Sequence, residues 1–468
     1  MLYAVTGIVL ARELSEEAFG LVGAVLVFQA FASLLVDSGF SYALIQRKRP
    51  SRLDYSTVLW FNIGLSLLLY LILFFCAPLI AEWFQNDRRL IPLARVMFLS
   101  IILNATAIVQ TNRLMKAMDV RMVAASNVIG LTFGSLVGIW MALRGFGAWA
   151  IVAQTLIISS GKSLVLWTTS RWRPVARFSI ASLRSYFRIG SRMMFTSFLN
   201  TVFLNIYSFF IGNRCGMTGL GYYSQSDKWS KMGVTSITQV LTSSFLPALS
   251  AVQDDMDRFR NMASKMNRFT SYLVFPALIG LMAMAAPIFH TLFGTKWDPS
   301  VGLFQLLLFR GIFVVFNSLY TNYLLALGLA KSIVRLEILR DGAALAALAL
   351  TFPFIAMELP DDPVYGIRVL LWGQVIATII TWAVTLIIVV RATGSSLLRY
   401  ALDMLPYFAL TSVILPIVLA AGALCPGSIS KLATEIAMAI PLYLGANYLL
   451  KSKIQHEVIT FLTGRFRR

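Results

Sequence analysis

Residues 55–84 read YSTVLWFNIGLSLLLYLILFFCAPLIAEWF, thirty residues in which Glu82 is the one charged side chain. About 20 apolar residues in a helix cross the hydrocarbon core of a bilayer, so 57–81 reads as a membrane-spanning helix. Windows of this kind recur along the whole chain. Hydrophobic side chains make up 58% of the 468 residues and charged ones 13%, where soluble proteins carry about 25% charged residues. Thirteen full spans are expected, at 19–45, 57–81, 90–110, 122–143, 148–169, 190–211, 220–249, 270–290, 301–328, 333–357, 364–390, 401–421 and 432–450. Residues 1–11 are apolar but too short to cross, and read as the second half of a first helix whose beginning is missing. The predicted fold is an all-α membrane protein, a polytopic helical bundle of 13 full spans plus a truncated first helix. That is a fourteen-helix architecture, two six-helix lobes plus two C-terminal helices.

Forty Lys and Arg against 21 Asp and Glu give a net charge of +19. In a soluble chain this would suggest nucleic acid, but here the charges lie between apolar runs, and nucleic acid is not an expected partner. Twenty-seven of the cations fall on one side of the alternating spans, nine on the other and four inside spans. Cytoplasmic loops carry the excess of Lys and Arg, so the first side, which includes the C-terminus, is read as cytoplasmic. Attraction to anionic membrane lipids accounts for the rest of the basic balance. Cys76, Cys215, Cys425, His290 and His456 are far apart in sequence, which argues against a disulfide scaffold, a zinc site or an iron–sulfur cluster. No nucleotide-binding loop is present, so no cofactor is expected and the energy source would be a proton, sodium or substrate gradient.

The organisation is read as an N-terminal lobe at 1–169 with its first helix truncated, a cytoplasmic amphipathic junction at 170–189, a C-terminal lobe at 190–391, and two appended helices with a basic cytoplasmic tail at 392–468. Within the junction, FSIASLRSYF (178–187) alternates apolar and polar residues at helical spacing and is expected along the cytoplasmic headgroups. Arg12 with Phe19 and Gly20 precedes one span, and Arg214 with Leu220 and Gly221 precedes another, an echo expected of internal repeats. Gly130, Gly134 and Gly138 form a small-residue stripe for close helix packing.

A charge inside the membrane costs about 2.5 to 3.5 kcal/mol on insertion scales, so such residues face a protein interior or a wet cavity. The span 220–249 carries Asp227, Lys228 and Lys231 in its outer half, and the two lysines share a face. Arg310 in 301–328 has Asn317 on the same helical face. The span 190–211 offers Asn200 and Tyr207 on one stripe and Asn205 on another, and 148–169 holds Lys162. One reading is a hydrated cavity whose cations accept phosphate and whose amides and hydroxyls accept sugar. The other is internal pairing of Asp227 with Lys231 and snorkelling of Lys162 or Arg310 to headgroups. The cavity is the expectation for Lys228 and Arg310, and both readings stand for Lys162 and Lys231. Asp37 reads first as a helix-end group near Arg47 and Lys48, and second, with Asp227, as an ion-coupling site. Catalysis finds little support: external loops are short, and the acidic pair Asp361 and Asp362 in LPDDPVYG reads as a solvated turn.

The stretches LSEEAFGL (14–21), DSGFSYALIQRK (37–48) and 55–84, with FSIASLRSYFRIGSRMMF (178–195) and LGYYSQSDKW (220–229), resemble the bacterial oligosaccharide flippases. These are O-antigen and colanic-acid type polysaccharide biosynthesis proteins, in the superfamily of multidrug antiporters and the lipid II flippase. The resemblance implies two lobes and alternating access around a cationic cavity in the bacterial inner membrane. It also implies a cargo, an undecaprenyl-pyrophosphate-linked oligosaccharide moved to the periplasmic leaflet, and polysaccharide polymerase or assembly proteins as partners. It departs from this sequence in the first helix, which is complete in the family. An ion-coupled multidrug antiporter is the nearest rival, disfavoured because it calls for intramembrane carboxylates where this chain has cations. A polysaccharide polymerase or ligase is more distant.

Overall fold

The computed structural model describes residues 2–37, 39–170, 172–360 and 362–457. Asp361 of the acidic pair and the arginines of the C-terminal tail therefore lie outside the described residues. Those residues form seventeen α-helices and no β-strand. Ten helices are long and apolar enough to cross a membrane, or eleven if one bent pair is a single span. The chain is a multi-pass helical membrane protein.

It divides into two compact units, Met1–Ser224 and Gln225–Arg468. The first contains α1 (Leu2–Glu13), α2 (Glu16–Asp37), α3 (Phe40–Gln46), α4 (Arg52–Trp83), α5 (Leu90–Met97), α6 (Leu99–Lys116), α7 (Val120–Leu143) and α8 (Trp149–Thr169). Next comes α9 (Ile180–Ser250), 71 residues that carry two of the expected spans. A straight helix of that length would run roughly 100 Å, about three times the hydrocarbon thickness. The chain instead breaks at Gly216, whose φ of 71° suits a residue without a Cβ. Gln85 donates to the carbonyl of Arg214 at 3.2 Å, satisfying backbone at the break.

Glycines let helices approach within unit 1. A Cβ on Gly20 would lie 1.7 Å from the carbonyl oxygen of Met217, and one on Gly221 would lie 2.0 Å from that of Glu16. Each glycine thus faces the carbonyl four residues before the other, a reciprocal crossing of α2 and α9. The stripe Gly130, Gly134 and Gly138 of α7 meets Ile158 and Gln154 of α8, as its spacing predicts.

The junction docks on the N-terminal end of α4. The amide of Val175 donates to Ser56 Oγ at 2.9 Å, Trp60 Nε1 to the Val175 carbonyl at 3.0 Å, and Ser182 Oγ to Asp54 Oδ1 at 2.5 Å. Trp172 and Tyr186 join Phe40, Tyr55 and Leu59 in one apolar cluster. The other side leaves Phe178, Ile180 and Phe187 exposed.

The second unit continues from α9 with α10 (Met256–Val274), α11 (Gly280–Ala283), α12 (Ala285–Leu292), α13 (Asp298–Ala326), α14 (Ala330–Thr351), α15 (Tyr365–Thr393), α16 (Leu397–Ala423) and α17 (Ser428–Leu449). The span expected at 270–290 is bent by 62° beyond the π-turn Phe275–Ile279, which contains Pro276. The helix at the span expected for 333–357, α14, is long enough to cross but does not count among the ten. Lys331, Arg335, Glu337, Arg340 and Asp341 crowd its first three turns, and Arg340 bonds Glu337 at 2.5 Å and Asp341 at 3.0 Å. The last two helices are fastened to α10: Ser264 Oγ donates to Asp403 at 2.6 Å, and Tyr443 Oη to the Tyr272 carbonyl at 2.9 Å.

Candidate functional site

In unit 1 the polar groups converge on a cavity of about 340 Å³ between α2–α3, α6 and α8. Helices α2 and α3 supply Ser33, Asp37 and Ser41, α6 supplies Asn104, Thr111 and Asn112, and α8 supplies Lys162. The three α6 residues fall at i, i+7 and i+8, one face of a helix. Ser41 Oγ donates to Asp37 Oδ1 and accepts from Asn112 Nδ2 at 2.6 Å. The network orients the carboxylate and one amide from two helices. Asp37 closes α2, as its position near a helix end implies, but Arg47 is not its counter-ion. Arg47 instead pairs with Asp54 at 3.7 Å.

The structure thus brings Asp37 and Lys162 together and leaves the other unit 1 candidates elsewhere. Asn200 is exposed on α9, Tyr207 is buried, and Asn205 donates to the carbonyl of Thr201 at 2.8 Å. Thr201 in turn donates to Ser197, so this stripe satisfies itself along its own helix. The sequence reading missed Asn104 and Asn112. Their signal was the polar face of α6, set in an otherwise apolar window.

In unit 2, α13 and the second half of α9 run parallel and in contact. Ser226 Oγ donates to the Ser300 carbonyl at 2.9 Å, Gly311 meets Val234, and Asn322 Nδ2 donates to Thr242 Oγ1 at 3.2 Å. This register sets Lys228 level with about residue 303, roughly 10 Å along the axis from Arg310 at about 1.5 Å per residue. Lys228 Nζ lies 5.7 Å from the centre of the Trp229 ring, a cation–π distance. Arg310 Nε donates to Thr378 Oγ1 of α15 at 3.2 Å, and among the described residues it forms no ion pair. Lys231 behaves differently, closing on Asp227 at 2.6 Å across one helical turn. That pair is the internal one its spacing allowed, and it neutralises both charges. Gln225, Trp229 Nε1 and Asn317 Oδ1 are buried polar groups with no hydrogen-bond partner among the described residues.

Near the start of α15, Asp362 pairs with Arg368 at 3.2 Å. Arg368 also lines a second cavity of about 510 Å³ with Gln305, Phe309 and Trp372. Among the described residues no cluster of His, Cys, Asp or Glu is arranged to hold a metal ion.

Residues 9–302 match the family described as polysaccharide biosynthesis protein. The chain is 26% identical over 348 residues to the succinoglycan biosynthesis transport protein ExoT of Rhizobium meliloti, covering 74% of this chain and 70% of that one. It is 27% identical over 312 residues to the lipopolysaccharide biosynthesis protein WzxC of Escherichia coli, covering 65% and 62%. The teichuronic acid biosynthesis protein TuaB of Bacillus subtilis is 26% identical over 307 residues, again with 62% of its length covered. Among solved structures, the lipid II flippase MurJ in an inward closed conformation superposes with a TM-score of 0.70 over 97% of this chain and 98% of that one, at 14% identity. An inward-facing multidrug resistance transporter of the MATE family gives 0.64 over 84% and 94%, at 16% identity. These likenesses establish the fold. With a family match over well more than half its length, the chain belongs to the polysaccharide biosynthesis protein family.

Proposed function

We propose that this protein is a transporter, not an enzyme, and that it moves an undecaprenyl-pyrophosphate-linked oligosaccharide across the bacterial inner membrane. The direction is from the cytoplasmic to the periplasmic leaflet, by alternating access, and the C-terminus is cytoplasmic. The delivered glycan would serve exopolysaccharide or O-antigen assembly, with a polymerase as the next protein to handle it. The relatives named for succinoglycan, teichuronic acid and lipopolysaccharide synthesis support this class of cargo.

The observation that carries the reading is Arg310, a cation within a membrane-spanning helix held by the neutral hydroxyl of Thr378. Its remaining guanidinium donors suit a pyrophosphate, which accepts hydrogen bonds from a planar fork. Lys228, on the neighbouring helix, adds a second cation to the same unit. The ion-coupled multidrug antiporter has one observation in its favour, the Asp37 carboxylate in the unit 1 cavity.

The test uses proteoliposomes and a fluorescent pyrophosphate-linked oligosaccharide, with accessibility to an external quencher as the readout. Each charge-assisted hydrogen bond contributes about 1.5 to 3 kcal/mol, so Lys228→Ala with Arg310→Ala is expected to reduce translocation at least ~100-fold while insertion is unchanged. Wild-type rates in that variant would remove the cationic site. Uptake of organic cations in place of lipid-linked sugar would establish the antiporter.

A further inference from the structure

The unit 1 cavity carries two opposite formal charges, Asp37 and Lys162, that do not close on each other. Asp37 is engaged by Ser41, and among the described residues Lys162 forms no ion pair. Both groups line the same cavity. In a low-dielectric interior such charges act strongly on a guest. Fixed charges of opposite sign in one lining offset each other for a free anion or a free cation, whereas both form charge-assisted hydrogen bonds to a neutral polar ligand.

The rest of the lining selects further. A carboxylate only accepts hydrogen bonds, an ammonium only donates, and amides and hydroxyls do both. The cavity presents all of these in its lining, with Asn104 and Thr111 beside the charged groups and Val36, Ile101 and Ile108 as apolar residues. Sugar hydroxyls donate and accept at once, and are matched by this mixture. The volume of about 340 Å³ is at the small end of ligand sites, which span about 300 to 1,000 Å³, with room for one sugar ring and not a chain of them. Among the described residues no aromatic side chain lines the cavity, so they offer no stacking platform and binding would be weak. Weak binding suits a carrier, which has to release what it holds.

We propose that this cavity is a subsite for one neutral sugar residue of the translocated glycan, gripped through its hydroxyls by Asp37, Lys162 and Asn104. The assignment rests on the flippase reading above and adds a location and a ligand class to it.

The test places a reporter cysteine in the cavity, Thr111→Cys, in the full chain carrying Cys76→Ser, Cys215→Ser and Cys425→Ser, reconstituted in liposomes. N-ethylmaleimide labelling is timed with and without glucose, galactose, mannose or N-acetylglucosamine, and with sodium phosphate or choline chloride as charged comparators. At a concentration a few times Kd, a bound sugar slows labelling about fivefold, by the factor 1 + [L]/Kd. At least one neutral sugar is expected to do so, with phosphate and choline inactive and the effect lost in Asp37→Asn and Lys162→Gln. Ser33→Cys repeats the measurement should Thr111→Cys insert poorly. The assignment is overturned if phosphate or choline protects as well as any sugar, if no sugar protects, or if both cysteines are inert. Translocation is followed in the same vesicles. Translocation without protection defeats this subsite alone, and protection without translocation upholds the sugar site while removing the flippase reading.

Discussion

Substituting Gly20 by Ala tests the reciprocal crossing of α2 and α9. The added Cβ would lie 1.7 Å from the Met217 carbonyl oxygen, where ordinary contact is 3.4–4 Å, and the obstacle is backbone that no rotamer change can remove. The two helices must separate by roughly 1.7 Å or deform. Overpacking of this kind typically costs about 1 to 3 kcal/mol, against which Ala gains up to about 1 kcal/mol over Gly in a helix. Gly221→Ala meets the Glu16 carbonyl at 2.0 Å and is expected to cost nearly as much. Because both methyl groups push apart the same crossing, the double variant should lose little more than the worse single one, an interaction energy of about 1 to 2 kcal/mol. Gly64→Ala is the control, since nothing lies within 4 Å of its would-be Cβ. The assay is thermal unfolding of purified protein in detergent, read as the monomer peak surviving heating. Gly20→Ala matching Gly64→Ala would show that the backbones are not in contact. A double variant whose loss equals the sum of the singles would show that the glycines do not share one crossing.

Two further perturbations probe the surfaces outside the membrane. Asp54 takes hydrogen bonds from the Ser51 amide at 2.8 Å and Ser182 Oγ at 2.5 Å and faces Arg47. Asp54→Ala therefore loosens the junction by about 1 to 2 kcal/mol. Trypsin cleavage at Arg177 or Arg184 should rise about 5- to 30-fold where opening precedes cutting, and an unchanged digestion rate would refute the docking. On the opposite face, hydrogen bonds from Arg89 hold the Asp87 carboxyl below the usual carboxylate range. A depressed folded-state value stabilises above the unfolded pKa of about 3.9 and fades as pH falls through the folded value. Asp87→Asn should flatten the acid limb of thermal stability below pH ~4, and an unaltered limb would assign the acid sensitivity elsewhere.

What could be read from the sequence was local. Twenty-residue apolar windows announced the spans, the i, i+4 spacing announced the Asp227–Lys231 pair, and the stripe from Gly130 to Gly138 announced its packing against α8. The helix expected at 333–357 is present as α14, and the charges near its start that keep it out of the ten most apolar spans stood in plain sight in the sequence. The unit 1 cavity is a different case. Lys162 was conspicuous because an ammonium in a span is costly, but Asn104, Asn112 and Ser41 are small polar groups that an apolar window absorbs without losing its character. Their meaning appears only when residues 33–41, 104–112 and 162 meet, and no periodicity within one helix encodes that meeting. The echo around Gly20 and Gly221 lies between these cases. As a pair of short matches it suggested a repeat, while the structure gives each glycine the carbonyl four residues before its counterpart. Any two helices that cross closely at a pair of glycines share this reciprocity, so the contact explains why both positions lack a Cβ, while the repeat remains a reading of the letters.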